Sequence, residues 1–224
     1  MPFSGFPNET ISFLSDLRSN NSKAWFDANR QRYEDQYKTP ALDLVAALAG
    51  PLQQLDPPLV AEPRVDGSLR RINRDVRFSN DKTPYSPRIH LVFWAGNRNG
   101  RWQGMHFVVH PDSLGYGVGV YGPDPAVLAA YRGRICDPAD RAALLKAEKA
   151  ARAIGCKWDP PELKRLPRGF EADGDWEHLL RRKSLIMRTL EDRPLPGWLQ
   201  TADCVDEMVR LTGACLPLIR WLSL

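Results

Sequence analysis

The sequence predicts an α+β fold, in which an antiparallel meander of about four to five strands packs against N- and C-terminal helices. Apolar residues recur at helical spacing in the first third of the chain, alternate with polar residues in the middle, and return to helical spacing afterwards. Short turns join the middle strands, which is typical of antiparallel neighbours. No repeat or linker divides the sequence, so we expect residues 1–224 to form a single domain.

Each predicted element has its own signal. Residues that cap helices indicate where helices begin, and glycine and proline indicate where they end. Helices are expected from Asn8 or Thr10, from Ser22, from Pro40 to an end or kink at Gly50–Pro51, over Ala126–Arg132, from Asp137, and from about Thr201. Strands are indicated by alternation between turns. They are expected at Arg71–Phe78, Arg88–Trp94, Met105–His110 and Leu114–Tyr121, and an edge strand is expected at Ser184–Leu190. A hairpin loop is expected at Gly96–Gly100 and a surface loop at Trp158–Gly174.

Composition excludes several classes of protein. Hydrophobic residues make up 43% of the chain and charged residues 26%, which is typical of globular proteins. Its uncharged apolar runs are far shorter than the roughly 20 residues of a membrane span, and its start lacks signal-peptide features. Four cysteines without a CxxC pair indicate buried thiols rather than a zinc or redox site. We therefore expect a cytoplasmic protein that does not associate with membranes and uses no cofactor.

Positive charge is concentrated in the middle of the chain. Between Arg64 and Gln103 the sequence holds nine cations and three anions, although the whole chain carries only +4. The predicted strand Arg71–Phe78 has two sides. Arg71, Asp75 and Arg77 fall on one side, and Arg74 falls on the other together with Ile72, Val76 and Phe78. An Arg-Asp-Arg row can hold a phosphate or carboxylate, with the aspartate orienting the guanidinium groups. The alternative to ligand binding is a solvent-exposed sheet face on which these residues only form ion pairs with one another.

The histidines of the predicted middle strands are candidate metal ligands. His106 and His110 share a face of the predicted strand, but at about 3.3 Å per residue they lie about 13 Å apart, too far for one metal ion. His90 can join one of them from the neighbouring strand. Because no acidic or thiol ligand stands beside them in the sequence, we expect no metal site.

A run of alternating glycines marks the last strand of the meander. Gly117–Gly122 matches the dinucleotide pattern G-x-G-x-x-G, but that pattern belongs in a loop between a parallel strand and a helix. Here Gly115, Gly117 and Gly119 alternate with apolar residues, which indicates a strand with one bare face. Either a helix or a flat ligand is expected to pack there.

The collected motifs resemble the domain of unknown function 2461 family. The resemblance rests on Phe13–Leu17, Asn20–Phe26, Arg71–Tyr85, the glycine-rich strand, Leu163–Phe170 and Pro217–Leu222, and covers nearly the whole chain. Asn73 stands where the family pattern usually has an aromatic residue, and Ser86–Pro87 replaces a more basic pair. The resemblance implies a bacterial-type soluble protein of one domain. It brings no reaction, cofactor or catalytic residue.

Two hypotheses of function follow. In the first, the basic face binds a small anionic phosphate or carboxylate ligand, and in its extended form acts on it. Arg71, Arg74, Arg77 and Lys82 would bind the ligand, Asp75 would orient them or serve as a base, and His106 or His110 would be the acid–base partner. In the second, the basic stripe binds nucleic acid or an acidic protein without catalysis. The interleaved aspartate favours the first, and a purely structural motif remains the alternative to both.

Overall fold

An antiparallel sheet forms the centre of the fold. The computed structural model describes residues 3–96, 103–120, 122–172, 174–189 and 193–223, and within them seven strands form one sheet. The strands are β1 (Leu59–Val60), β2 (Ile89–Ala95), β3 (Gly104–Val109), β4 (Ser113–Val120), β5 (Lys157–Trp158), β6 (Leu185–Arg188) and β7 (Arg193–Pro194). Their order is β1-β2-β3-β4-β6-β5, and β7 also pairs with β4. The predicted α+β fold is confirmed, with β2, β3 and β4 as its meander and with more strands than expected.

Helices come before and after the meander in the chain. They are α1 (Asn8–Ser19), α2 (Lys23–Ala28), α3 (Arg30–Arg32), α4 (Thr39–Gln53), α5 (Pro125–Cys136), α6 (Pro138–Ala153), α7 (Glu177–Leu180) and α8 (Cys204–Leu222). A π-helical stretch, Tyr33–Lys38, joins α3 to α4. Among the helices described, none has both the length and the apolar character needed to cross a membrane.

Two predicted helix caps are confirmed and one is wrong. The Ser22 hydroxyl accepts a hydrogen bond from the backbone N–H three residues on, and the Asp137 carboxylate accepts two at the start of α6. Neither Asn8 nor Thr10 caps α1, because Pro7 occupies the cap position. Thr10 lies inside the first turn, where its hydroxyl donates to a backbone carbonyl of the π-helical stretch.

Other predicted boundaries are corrected by packing. Helix α4 does not end at Gly50–Pro51 but continues to Gln53, because Leu52 is buried in the core. The strand predicted at the sheet edge, β6, lies inside the sheet, because Lys157–Trp158 forms a further strand beside it. Parts of three predictions fall outside the described residues, at residues 97–100 of the hairpin loop, at Tyr121 and at Leu190.

The main core lies between one face of the sheet and the helices. Alternate residues of the meander point into it, such as Phe107 on β3 and Val118 on β4, and α4 and α8 are packed nearby. The aromatic residues of the N-terminal helices also pack in the core, with Tyr37 buried against Phe13. The intervening residues of the strands point to the opposite face of the sheet, where the candidate site lies.

Candidate functional site

The cations predicted to bind a ligand lie on residues 71–83, here called the basic loop. They are Arg71, Arg74, Arg77 and Lys82. The basic loop is not a strand, contrary to the prediction, and its backbone pairs with the rest of the chain through an isolated bridge between Asn73 and Tyr85. Bonds from side chains to nearby groups replace the strand ladder. Ile72 is buried, whereas Phe78, which was placed on the same side of the predicted strand, is exposed.

Internal ion pairs hold the basic loop in shape. Arg77 binds Asp75 with both ends of its guanidinium, Nε 3.0 Å from Oδ1 and Nη2 2.7 Å from Oδ2. Arg74 Nη1 donates to Asp81 Oδ2 at 2.6 Å and to the Thr83 carbonyl at 3.0 Å. Two of the four cations are therefore already paired with acids of the loop itself.

The pairing with Arg77 changes the chemistry of Asp75. Hydrogen bonds donated by Arg77 hold the pKa of Asp75 below its ordinary value. A carboxylate with a lowered pKa is a weaker base. Asp75 is exposed and lies in the basic loop, so the structure does not bring it together with His106 or His110 on the sheet.

Phe78 is presented to solvent by the basic loop. Its side chain is 95% exposed, and the Arg77 guanidinium carbon lies 5.7 Å from its ring centroid. Lys82 Nζ braces the same turn by donating to the Val76 carbonyl at 3.0 Å. Arg71 lies near Asp66, with 3.9 Å between their charged atoms. The loop thus holds an aromatic ring outward among cations.

The base of the basic loop is fixed to the N-terminal helices. The Asn21 side chain donates to the Tyr85 carbonyl at 2.8 Å and accepts from the Tyr85 backbone N–H at 3.1 Å. The Tyr85 ring stacks on Phe26, with 4.1 Å between centroids. These contacts fix where the loop leaves the body of the protein.

A cavity of about 890 Å³ lies on the sheet face opposite the main core. It is lined by the outward residues of β2, β3, β4 and β6 and by neighbouring segments. His106 and His110, both predicted as catalytic candidates, line it together, as expected for residues on one face of a strand. The predicted ligand-binding cations lie outside its described lining, at Arg71, Arg74, Arg77 and Lys82.

Two histidines of the cavity are in contact across β2 and β3. His90 Nε2 lies 3.1 Å from His106 Nδ1, so one imidazole donates a hydrogen bond and the other accepts it. Burial, together with the nearby charge of Arg70, lowers the pKa of His106 to about 4. Burial and then the neighbouring His106 lower the pKa of His90 to about 3. Both rings are therefore neutral at physiological pH.

Three arginines line the cavity together with this neutral pair. Arg70 is placed by its backbone, whose N–H donates to the His90 carbonyl at 2.9 Å. Arg88 is exposed and directly precedes β2. Across the sheet, Arg188 Nε lies 2.8 Å from Asp159 Oδ1. Because the described lining holds three arginines and one acidic residue, Asp159, it carries net positive charge.

The floor of the cavity is the bare face of β4. The glycines lie on a strand, as predicted, and not in a dinucleotide-binding loop. Close approach of β6 accounts for two of them. A Cβ atom on Gly117 would lie 2.6 Å from Arg188 Cβ, and one on Gly119 would lie 1.9 Å from the Leu185 carbonyl oxygen. Gly115 is different, because a Cβ atom there would meet nothing closer than Thr189 Oγ1 at 3.7 Å.

Sequence reasoning missed the cavity arginines and His90 as parts of one site. Arg70 directly precedes the basic loop, and Arg88 follows its last residue by five positions. The segment that carries Arg70 is joined to β2 by a bridge between Leu69 and Leu91, and both arginines line the cavity. A possible signal was the position of Arg88 just before the clear alternation of β2. No comparable signal marked Arg188.

The site does not gather metal ligands. In the described part of the chain, no group of three or more histidine, cysteine, aspartate or glutamate side chains is placed to hold a metal ion. His90 does join His106 from the neighbouring strand, but as a hydrogen-bonded pair. The chemistry of the site is therefore that of arginine and neutral imidazole.

Comparison with known proteins gives one match. A family model described as "Conserved hypothetical protein (DUF2461)" matches residues 9–221 of the 224-residue chain. No curated protein and no solved structure matches it. The matched region includes both the basic loop and every strand that lines the cavity.

Proposed function

The chain belongs to this family of conserved hypothetical proteins, and we propose that it binds a small anionic ligand, a phosphate or carboxylate metabolite, in the cavity on the sheet face. The observation that carries the proposal is the placement of Arg70 and Arg88 at a cavity whose described acid, Asp159, is already paired with Arg188. A concave site with low-dielectric walls and an excess of one sign of charge concentrates ions of the opposite sign.

Arginine suits this role because its planar guanidinium matches a carboxylate or phosphate with two parallel hydrogen bonds. The neutral histidine pair adds one N–H donor beyond the hydrogen bond within the pair, and it adds no charge. An anion bound beside His106 would favour the charged imidazole and so raise its pKa. We propose that His106 acts as the acid–base group if the ligand is also a substrate, because it lies in the cavity with a partner, His90, already oriented toward it.

The basic loop is a less suitable site for a small anion. Arg74 and Arg77 are bonded to Asp81 and Asp75, so an anion would have to displace an internal carboxylate. The predicted ligand-binding role of the loop cations stays a prediction. The same experiment tests it together with the cavity.

The experiment is a titration with inorganic phosphate, followed by thermal shift and calorimetry, on wild type, Arg88→Ala and Arg77→Ala. Both variants remove one exposed arginine, but Arg88 lines the cavity and Arg77 lies in the basic loop. We expect phosphate to stabilise wild type and Arg77→Ala, and to bind Arg88→Ala roughly tenfold more weakly. Loss of binding only in Arg77→Ala would move the site to the loop. No effect of phosphate or of carboxylated metabolites on wild type would refute the proposal.

A second candidate function is supported by Phe78. An exposed aromatic ring beside Arg77, with Arg71 and Lys82 on the same loop, is the combination by which proteins stack bases and neutralise phosphates of single strands. In this alternative the loop is a binding module for nucleic acid, or for an acidic protein, without catalysis. Fluorescence anisotropy with a single-stranded oligonucleotide tests it. Affinity should fall steeply between about 50 and 200 mM salt and should drop in Phe78→Ala.

We also propose that the protein works in the cytoplasm. Its four cysteines are free thiols, which fits a reducing compartment, and three of them are buried. Cell fractionation with a tagged chain tests this, and recovery outside the cytoplasmic fraction would contradict it.

A further inference from the structure

The cavity is larger than an inorganic anion requires. Its volume of about 890 Å³ lies within the range of about 300–1,000 Å³ that takes organic ligands. Arg70 and Arg88 lie on the β2 side of the cavity, and β3 and β4 separate them from Arg188 on β6. A phosphate held by Arg70 and Arg88 would leave most of the floor uncovered. The chemistry of the remaining surface therefore indicates which groups the rest of the ligand carries.

Apart from the ion pair of Arg188 with Asp159 at its far side, that remaining surface is apolar or neutral. The side chains of Val92, Val108 and Ile186 line the cavity, and the imidazoles of His90 and His106 beside them are uncharged at physiological pH. Such a lining does not compensate a second charge, but it does favour contact with an uncharged organic group.

The packing of the fold does not explain why residue 115 is a glycine. A glycine inside a strand costs about 0.5–1 kcal/mol relative to alanine. Gly117 and Gly119 are required by the close approach of β6, but a Cβ atom at Gly115 would make only ordinary contacts, the nearest to Thr189. Its missing side chain leaves the backbone of β4 bare between Val108, its partner on β3, and Thr189.

Taken with the proposed function, on which this inference rests, these features specify the ligand further. We infer that the ligand is an anion attached to a flat ring, with the anionic group at Arg70 and Arg88 and the ring lying on the bare backbone at Gly115 beside the imidazole of His106. A planar group can approach peptide groups closely only where no Cβ atom intervenes. Nucleoside monophosphates and aryl phosphates or carboxylates share this chemistry.

The first test compares four probes on the wild-type protein by calorimetry. They are inorganic phosphate, ribose 5-phosphate, phenyl phosphate and adenosine 5′-monophosphate. Phenyl phosphate and adenosine 5′-monophosphate carry a flat aromatic ring, which ribose 5-phosphate lacks. We expect at least one of these two probes to bind roughly tenfold or more tightly than ribose 5-phosphate. Preference for adenosine 5′-monophosphate over phenyl phosphate would identify the ring as a nucleobase, and the reverse order would identify an aryl group. Equal binding of all four probes would overturn the inference and leave the proposed function intact. No binding of any probe would remove both.

The second test places a side chain on the glycine face of β4, which forms the floor of the cavity. Gly115→Val places a branched side chain on the cavity side of β4, where valine is well tolerated in a strand. We expect the variant to lose the preference for the ring-bearing probe while binding inorganic phosphate as wild type does. Gly133→Val, at an exposed position of α5 with open space around it, is the matched control and should keep the preference.

Phe78 provides the contrasting variant. If Phe78→Ala rather than Gly115→Val removes the preference for a ring, the ring stacks on the basic loop and the inference is overturned. Thermal unfolding of each variant shows whether it is folded. If Gly115→Val does not fold, the smaller Gly115→Ala takes its place, with the preference for a ring expected to be reduced in the same direction.

Discussion

His90 Nε2 lies 3.1 Å from His106 Nδ1, so that a side chain of β2 and a diagonal neighbour on β3 form a hydrogen-bonded pair of neutral imidazoles at the proposed ligand site. Arg70 stands close enough to lower the pKa of both rings further than burial alone would. The pair therefore resists protonation, and this resistance links the stability of the protein to pH.

We predict that stability falls as pH falls through this pair's titration range. The folded-state pKa values, about 3 and about 4, lie below the ordinary histidine value of 6.5. Between pH 6.5 and about 4 the unfolded chain binds protons that the folded protein does not, so the stabilisation present above about pH 6.5 is lost on acidification. We expect a contribution of about 1 kcal/mol per pH unit from each histidine.

Urea unfolding of wild type and of the double variant His90→Gln/His106→Gln, at steps from about pH 8 downward, measures this contribution. The value of each protein at the highest pH serves as its own reference, which removes the cost of the substitutions themselves. The double variant should have the shallower slope. Equal slopes would show that the pair is protonated as easily in the folded protein as in the unfolded chain.

The three glycines of β4 should differ in their response to alanine. Gly119 has a φ of 141° and no room for a Cβ atom, so Gly119→Ala should cost more than about 3 kcal/mol. Gly117→Ala should cost about 1–3 kcal/mol, because β6 must move. Gly115→Ala should leave stability within about 1 kcal/mol of wild type. Urea unfolding tests the order, and equal losses at all three positions would contradict it.

The base of the basic loop should depend on Asn21. Asn21→Ala removes two hydrogen bonds to the Tyr85 backbone, which we expect to cost about 1–3 kcal/mol. Asn21→Asp keeps the acceptor and loses the donor, so it should fall between alanine and wild type. Hydrogen exchange at the Tyr85 amide reports the same contact. Wild-type protection in Asn21→Ala would show that the stacking of Tyr85 on Phe26 fixes the loop unaided.

Two arginines of the basic loop should have unequal effects on its order. The Arg74 side chain is 25% exposed and joins Asp81 to the Thr83 carbonyl, whereas that of Arg77 is 76% exposed. We expect Arg74→Ala to lower Tm by about 2–4 °C and to speed proteolysis within the loop. Arg77→Ala should change neither, because an exposed ion pair contributes little. Similar proteolysis rates for the two variants would contradict the bracing role of Arg74.

The local sequence was sufficient where one residue's chemistry decides the structure. Ser22 and Asp137 were predicted as helix caps because their side chains accept hydrogen bonds from N–H groups two or three residues away. The alternation in β4 likewise separated its glycine face from its apolar face. Arg71–Phe78 shows the same alternation and yet is no strand, because Arg74, Asp81 and Thr83 bond to one another across the turn and the segment lacks a partner strand along its length.

The candidate site was decided by tertiary structure. His90, His106, Gly115 and Arg188 come from four different strands, and their meeting depends on the register in which those strands pair. By itself the sequence determined an α+β fold with a glycine-faced strand, two histidines on one sheet face and a concentration of cations near it. Only the tertiary structure decided that Arg74 and Arg77 bind acids of their own loop and that Arg70 and Arg88 stand at the cavity. The physical reason is that cross-strand register and salt-bridge partners depend on contacts between distant residues, which a local pattern does not encode.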